Sequence, residues 1–306
     1  MNNTNYTKEY AKFLQSRLNL TSKIKAVFDL SNGTAGIVLE ELKNLNPNNL
    51  EIILINETPD PNFSAHGPNP LKEGAMEGLK QEVKKQNADI GIIVDADEDR
   101  VFFIDNKGDE IHPDKAAILI ALEFNGPVII DVRSGYPIRE WLKENNRSVI
   151  DCRVGHYFIK KMMREKDIAF GAEVSGHYYF KDFLYADSGL RASMSMLNAL
   201  SKLKEKNTSL SEWEKSSLKT YRIPETNYKV SDKQIIIEKI QNAFISEIKN
   251  SNNLDGIRIE CGEGENMWWF SVRPSNTENL LRLNVEAKKE EVLKEGVKRL
   301  EGYIKN

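Results

Sequence analysis

Short apolar segments that alternate with helical segments constrain the fold of this 306-residue chain most strongly. The clearest of them, Ile90–Val94, is almost entirely apolar, which is typical of a strand buried on both faces of a parallel sheet. Strands are also predicted over residues 24–30 and 51–56, with helices over 37–44 and 73–87. This alternation of strands and helices indicates an α/β domain.

A second α/β pattern follows, and then the order of segments changes. Strands are predicted at 128–132, 149–152 and 168–172, with helices at 137–145, 156–166 and 190–203. In the last part of the chain, helices predicted over 232–248 and 289–304 flank three consecutive strands, which suggests a small α+β domain. We predict a lead-in helix within residues 1–21, α/β domains over 22–125 and 126–204, a linker over 205–218 with room for a helical turn at Trp213, and an α+β domain over 219–306.

Composition removes several classes of protein from consideration. Lys and Arg number 43 and Asp and Glu number 46, a net charge of −3, whereas general nucleic-acid-binding proteins are usually basic. No apolar run approaches the ~20 residues of a membrane span, and the first residues do not resemble a signal peptide. The two cysteines, Cys152 and Cys261, are too few for a disulfide scaffold or a Cys-based zinc site. We therefore expect a cytoplasmic protein that binds neither nucleic acid nor membranes.

The first candidate site is the acidic segment 95–100, which directly follows the apolar strand. In open α/β sheets, ligands bind at the loops after the carboxyl ends of strands. The segment has three carboxylates at alternate positions: Asp95, Asp97 and Asp99. A solvated acidic loop is one interpretation, and a hard divalent cation is the other. An EF-hand does not fit, because Arg100 and Asn106 stand where its Gly and Glu belong, so we predict Mg²⁺ with a phosphate held by Arg100.

Two further loops carry groups suited to a sugar and a phosphate. Residues 171–177 follow a predicted strand and contain three polar groups of different character that can hold sugar hydroxyls: Glu173, Ser175 and His177. Residues 273–278 lie between two strands of the last domain, where a guanidinium, hydroxyls and loop N–H groups make a phosphate cradle. The candidate contacts there are Arg273, Ser275, Asn276 and Thr277, followed by Arg282.

Two isolated basic residues complete the set. Arg133 stands at the carboxyl end of a predicted strand, where it could contact an anion. His156 stands near a helix start, which suits proton transfer, phosphate contact or simple helix capping. Each motif alone also fits an ordinary polar turn. Their joint occurrence is more specific and indicates one site for a metal ion, a sugar and a phosphate.

Together these loops resemble those of the α-D-phosphohexomutase superfamily, in its phosphomannomutase/phosphoglucomutase branch. The resemblance runs from about Tyr6 to the end of the chain. Segments 95–100, 173–177 and 273–277 match the metal, sugar and phosphate loops of the family, although Asn279 replaces its usual proline. The resemblance implies an α/β fold with two tandem α/β/α phosphohexomutase-type domains, followed by a small α+β C-terminal domain.

The resemblance also implies an activity, that of an isomerase. Family members interconvert hexose 1-phosphate and hexose 6-phosphate by Mg²⁺-assisted transfer of a phosphoryl group to and from a phosphoserine. Mg²⁺ would then be bound by Asp95, Asp97 and Asp99, with Arg100 at the transferred phosphoryl group. Sugar hydroxyls would be held by Glu173, Ser175 and His177. The other phosphate would be held by Arg273, Ser275, Asn276 and Thr277. Arg133 and His156 are implied in acid–base catalysis or phosphate contact.

The phosphoserine loop of the family belongs to its first domain, and no such loop stands in this sequence. Ser64 lies in a superficially similar segment, but its context matches the second domain, so we do not predict it to be the nucleophile. The expectation is a mutase chain without the first domain, or one half of a split enzyme whose partner chain supplies the serine. The alternatives are a non-catalytic sugar-phosphate-binding or regulatory protein, and a phosphatase-like enzyme that uses water.

Overall fold

The computed structural model describes residues 5–275 and 277–305, and its first sheet is mixed. Its strands are β1 (Ile24–Asp29), β2 (Leu50–Ile55), β3 (Ile90–Val94), β4 (Val101–Asp105) and β5 (Glu110–Ile111). The strand order is β2-β1-β3-β4-β5, with β1 to β3 parallel and β4 and β5 antiparallel. The helices of this part are α1 (Tyr6–Arg17), α2 (Ala35–Asn44) and α3 (Glu77–Gln86). Helix α3 packs on one face of the sheet, and α1 and α2 lie on the other.

The second sheet repeats this plan of three parallel strands and an antiparallel pair. Its strands are β6 (Val128–Asp131), β7 (Val149–Cys152), β8 (Phe170–Ala172), β9 (Tyr178–Phe180) and β10 (Ala186–Asp187), in the order β10-β9-β8-β6-β7. Its helices are α4 (Pro113–Ala121), α5 (Tyr136–Glu144), α6 (His156–Lys166) and α7 (Gly189–Glu205). The acidic segment 95–100 joins β3 to β4, and segment 173–177 joins β8 to β9. The two loops therefore occupy equivalent positions in the two units.

The third sheet is antiparallel and belongs to the C-terminal part. Its strands are β11 (Tyr221–Arg222), β12 (Thr226–Lys229), β13 (Ile248–Asn252), β14 (Ile257–Cys261), β15 (Trp268–Pro274) and β16 (Leu280–Ala287). The order is β11-β16-β15-β14-β13, and β12 also pairs with β16. The helices are α8 (Leu210–Ser216), α9 (Lys233–Phe244) and α10 (Glu290–Ile304). Side chains from α9, α10 and the sheet form a separate hydrophobic core.

These observations confirm the predicted fold class, and they add elements that the sequence patterns did not predict. Helix α4 and strands β9, β10, β12 and β13 were not expected. The helical turn expected at Trp213 in the linker is the helix α8, which begins with a capping box from Ser209 and Glu212. The helix predicted over 232–248 ends at Phe244, because Ile248 already pairs with Cys261 in the sheet. Among the described residues, no helix is both long and apolar enough to cross a lipid bilayer.

Candidate active site

The acidic segment after β3 folds into a tight loop around Asp95. The Asp95 side chain is buried, and it accepts hydrogen bonds from the backbone N–H of Arg100 (3.1 Å) and from the Arg100 Nε (2.5 Å). Carboxylate oxygens of Asp95, Asp97 and Asp99 lie within 4.8 Å of one another. Oxygen donors that converge in this way fit a hard divalent cation, so the residues present suit the predicted Mg²⁺.

Burial and neighbouring groups shift the pKa values of the aspartates in this loop in opposite directions. Burial raises the pKa of Asp95 to about 6, against the effect of the Arg100 contacts. The pKa of Asp99 is lowered to about 2, chiefly by its hydrogen bond with His177. The loop thus concentrates negative charge, and a bound cation would stabilise the ionised form of all three aspartates.

Glu98 anchors this loop to two helices, a role that the sequence analysis missed. It has a left-handed backbone conformation, with φ of 71°. Its carboxylate accepts hydrogen bonds from the Ser188 hydroxyl (2.7 Å) and the Leu190 N–H (2.5 Å) at the start of α7, and from the Tyr10 hydroxyl of α1 (3.2 Å). Burial raises its pKa to about 7. In sequence, a fourth acidic residue in an acidic segment gives no signal that it points away from the other three.

The loop between β8 and β9 contacts the acidic loop directly. His177 Nε2 lies 3.5 Å from Asp99 Oδ1, and His177 Nδ1 lies 2.9 Å from the Ser175 Oγ. The two backbones form an isolated β-bridge between Arg100 and His177. Although burial opposes it, the nearby carboxylates of Asp99, Glu173 and Asp187 raise the pKa of His177. The structure therefore places the predicted metal loop and the predicted sugar loop side by side.

Glu173 and Arg133 lie in the same cluster and are held rigidly. The buried Glu173 carboxylate accepts hydrogen bonds from the Gly155 N–H (2.9 Å) and the Tyr179 hydroxyl (2.5 Å). Arg133 makes two hydrogen bonds to the buried Asp131, through Nε (3.0 Å) and Nη2 (2.9 Å).

The charge on Arg133 is secured by this arrangement. Burial alone would lower the pKa of Arg133, but the Asp131 carboxylate raises it above its ordinary value. Arg133 Nη2 lies 3.5 Å from the Ser175 Oγ. Arg133 is consequently a permanent cation beside the sugar loop, which suits contact with an anion rather than proton transfer.

Arg273 is a buried cation whose donors are not all used. Its Nε and Nη1 have no hydrogen-bond partner in the described part of the chain, and Glu225 and Asp255 lie at 3.8 and 3.6 Å from the guanidinium. Burial and the positive charge of Arg133 lower its pKa. Arg282, opposite Arg273 in the β15–β16 register, likewise has a buried Nε without a partner among the described residues. Buried donors without partners are costly, so these arginines fit a bound anion.

The other residues of the predicted phosphate loop differ in accessibility. Ser275 is buried, Thr277 is exposed, and Asn276 lies outside the described residues. Lys233, at the start of α9, donates from its Nζ to the carbonyl oxygens of Ser275 (2.8 Å) and Glu278 (3.0 Å). The sequence analysis missed this cation because Lys233 is about 40 residues away along the chain.

His156 makes no hydrogen bond or ion pair with the other candidates among the described residues. It begins α6 and is exposed. The loop before it is nevertheless tied to the C-terminal domain, because Asp255 accepts a hydrogen bond from the Val154 N–H (3.3 Å). A cavity of about 780 Å³ between the three sheets is lined in part by Arg133 and Ser175.

Comparison with known proteins defines the class to which this arrangement belongs. Residues 4–108 match the family model of phosphoglucomutase/phosphomannomutase α/β/α domain II, residues 112–221 that of domain III, and residues 225–302 that of the C-terminal domain. Two consecutive α/β/α domains followed by a C-terminal domain are the arrangement that these three models describe. The chain belongs to the phosphoglucomutase/phosphomannomutase family.

Individual relatives agree with this assignment. The chain is 38% identical over 305 residues to a phosphomannomutase of Methanocaldococcus jannaschii, an alignment that covers 98% of this chain and 65% of that protein. A crystal structure of a phosphoglucomutase/phosphomannomutase family protein from Burkholderia thailandensis superposes with a TM-score of 0.84 at 25% identity, covering 98% of this chain and 64% of that one. An N-acetylphosphoglucosamine mutase of Aspergillus fumigatus, solved with GlcNAc-6P and magnesium, shares the fold, with a TM-score of 0.65 at 16% identity, covering 98% of this chain and 69% of that one.

Proposed function

We propose that this chain binds a hexose phosphate and Mg²⁺ as part of a phosphohexomutase that interconverts hexose 1-phosphate and hexose 6-phosphate. The observation that carries the proposal is the contact between the acidic loop and the sugar loop, with the buried Arg273 and the half-buried Arg133 nearby. The relatives named phosphomannomutase support the same substrate class. The chain spans about 65% of the length of the Methanocaldococcus protein, so the activity of the whole protein is part of the proposal.

In this proposal, Asp95, Asp97 and Asp99 hold the Mg²⁺ that was predicted from the sequence. When bound, Mg²⁺ offsets negative charge on the phosphoryl group during its transfer. Arg100 is held by Asp95 and reaches Asn69 with its Nη1 (3.3 Å), so its guanidinium is fixed in place beside the phosphoryl group. A fixed cation needs no reorganisation when charge develops, which is how such residues contribute to catalysis.

Sugar hydroxyls are assigned to Glu173, Ser175 and His177, as the resemblance implies. Ser175 and His177 form one hydrogen-bonded pair beside Asp99, which places a sugar bound to them close to the metal loop. Glu173 already accepts two hydrogen bonds, but a carboxylate offers about four acceptor positions. Its contribution is therefore both to fix the loop and to accept a hydrogen bond from a hydroxyl.

The phosphate that is not transferred is assigned to Arg273 with Ser275, Asn276 and Thr277. The buried guanidinium donors of Arg273 without partners are the strongest support for an anion at this position. We assign Arg133 to phosphate contact as well, since Asp131 keeps it charged. His156 is assigned to proton transfer or phosphate contact, because it is exposed at the start of a helix.

We further propose that the phosphoryl donor comes from outside the residues of this site, either from another segment or from a separate chain. Ser64, the serine in the superficially similar segment, is exposed and donates a hydrogen bond to Asp60. Its segment belongs to the first sheet unit, where the domain II model matches.

A cytoplasmic location also remains a prediction, based on the cysteine content.

Calorimetry with sugar phosphates tests this function. In the presence of Mg²⁺, mannose 1-phosphate and glucose 1-phosphate should bind, and the free sugars should bind much more weakly. Loss of a charged hydrogen-bonding group costs about 1.5–3 kcal/mol, so Arg273→Gln should weaken phosphate-dependent binding by roughly 10- to 100-fold. Arg299→Gln is the matched control, because Arg299 pairs with Glu247 on the outer side of the same domain. Equal affinity for free sugars and sugar phosphates would contradict the proposal.

A further inference from the structure

Asp99, His177 and Asp187 form a second group of potential metal ligands, next to the three aspartates. One donor atom from each residue lies within 4.8 Å of the others. They come from three different places, namely the acidic loop, the loop before β9, and β10. The group differs from the aspartate triad in kind, since it adds an imidazole nitrogen to two carboxylates.

The Asp187 carboxylate has an unsatisfied oxygen. Its side chain is only 6% exposed, and its Oδ1 forms an ion pair with the Lys160 Nζ, at 2.6 Å. Its Oδ2 is buried and has no hydrogen-bond partner within residues 5–275 and 277–305. A buried carboxylate oxygen without a partner is unfavourable, and a bound cation would satisfy it.

His177 is oriented as a metal-binding histidine would be. Its Nδ1 lies 2.9 Å from the Ser175 Oγ, and its Nε2 lies on the side of Asp99, 3.5 Å from Oδ1. In metal sites, a polar neighbour usually holds the ring nitrogen that does not bind the ion, and so fixes the orientation of the ring. Ser175 is placed to do this, which leaves Nε2 for an ion.

We propose that Asp99, His177 and Asp187 bind a divalent transition-metal ion, for which Zn²⁺ is the probe. Mixed imidazole and carboxylate donors favour such ions over Mg²⁺, which prefers oxygen donors alone. Bonds of about 2.0–2.2 Å require the donor atoms to move closer together, to about 3.3 Å. Lys160 stays on the other oxygen of Asp187. The site goes beyond the proposed function, although it shares Asp99 with the Mg²⁺ site and His177 with the sugar loop.

Zinc binding is measured best in an Asp97→Asn background, which weakens the aspartate site and leaves Asp99 in place. Equilibrium dialysis should find one Zn²⁺ per chain in Asp97→Asn. Adding His177→Ala or Asp187→Asn should weaken that binding at least tenfold. Asp187→Asn preserves the shape of the side chain, so it still tests the site if the His177→Ala variant does not fold. Adding Asp167→Asn is the matched control, because Asp167 also pairs with a lysine, Lys181, at 2.6 Å, and it should leave zinc binding unchanged.

An independent readout identifies the ligand. The chain has four histidines, and Zn²⁺ should shift the imidazole ¹⁵N resonances of His177 in Asp97→Asn. Equal zinc affinity with and without His177→Ala and Asp187→Asn, or no shift of His177, would overturn the inference. The binding of hexose phosphate to the parent chain in the presence of Mg²⁺ is measured separately, by calorimetry. Retained sugar-phosphate binding together with absent zinc binding would thus refute this site alone.

Discussion

At the scale of single residues, the three aspartates of the metal loop have different environments. Asp95 is buried against Arg100, Asp99 is half-buried beside His177, and Asp97 is exposed. Removing the charge of Asp95 or Asp99 would therefore disturb structural contacts as well as a cation. Asp97 is the residue at which cation binding can be tested with the least structural disturbance.

We expect Asp97→Asn to weaken the binding of Mg²⁺ by roughly 10- to 100-fold with little change in the free energy of unfolding. An exposed side chain contributes little to stability, whereas a lost carboxylate removes a ligand and a charge. Calorimetric titration with Mg²⁺ and chemical denaturation of the same variant check both parts. Asp109→Asn, at the turn between β4 and β5, is the control. Unchanged Mg²⁺ affinity in Asp97→Asn would rule out the aspartate site.

At the scale of elements, helix α4 shows why part of the fold could not be predicted. Every residue from Asp114 to Ala121 is buried, so the helix has no polar face and no helical period in its sequence. Amphipathic helices such as α1 and α6, and the apolar strand β3, were predicted because their patterns reflect one or two buried faces. Strands β9 and β10 have only three and two residues, too few for a pattern.

Helix α5 depends on a contact from another domain, which gives an element-scale prediction. Its Tyr136 N–H donates to the Glu286 carboxylate of β16 (2.9 Å), and a Cβ on Gly135 would lie 1.9 Å from Glu286 Oε2. Gly135→Ala should therefore lower the free energy of unfolding by about 1–3 kcal/mol. Gly78→Ala, in α3 with open space around its Cα, should instead raise it by about 0.4–1 kcal/mol. Denaturant unfolding checks both, and equal effects would contradict the predicted role of Glu286.

At the scale of the whole molecule, the two α/β units share one plan, and their corresponding loops meet. The sequence analysis predicted each unit and each loop, because apolar strands followed by polar residues are local signals. It could not predict that Asp187 would join His177, because the paired strands β9 and β10 are too short to show a pattern. It could not predict that Asp99 would lie against His177 either, because this contact depends on how the two sheets pack. For the same reason, no sequence pattern predicted the hydrogen-bond network around Glu286 and Arg222, which lies between domains.

A pH effect on stability follows from that network. His112 lies half-buried at the domain boundary, where burial and the adjacent positive charge of Arg222 lower its pKa well below the usual value, with Lys115 acting in the same direction and Glu286 opposing them. Its imidazole thus stays neutral in the folded protein but takes up a proton in the unfolded chain below about pH 6.5. Stability should fall as pH drops from 7 to 5, by at most about 1.4 kcal/mol per pH unit from this group.

Calorimetric unfolding across this pH range checks the effect. His112→Gln removes the titrating group, so the unfolding temperature of the variant should depend less steeply on pH than that of the parent. Parallel pH profiles of the parent and His112→Gln would show that His112 does not couple domain packing to pH. The comparison of slopes is independent of any constant change in stability that the substitution causes.

We expect this chain to contain a hexose-phosphate site whose phosphoryl donor lies outside that site. A ³¹P NMR spectrum of glucose 1-phosphate with the chain, Mg²⁺ and a trace of glucose 1,6-bisphosphate tests both halves at once. We predict that the chain broadens and shifts the glucose 1-phosphate resonance, that Arg273→Gln removes this effect, and that no glucose 6-phosphate resonance grows in. An unperturbed resonance, or a glucose 6-phosphate signal that Asp97→Asn abolishes, would contradict the account.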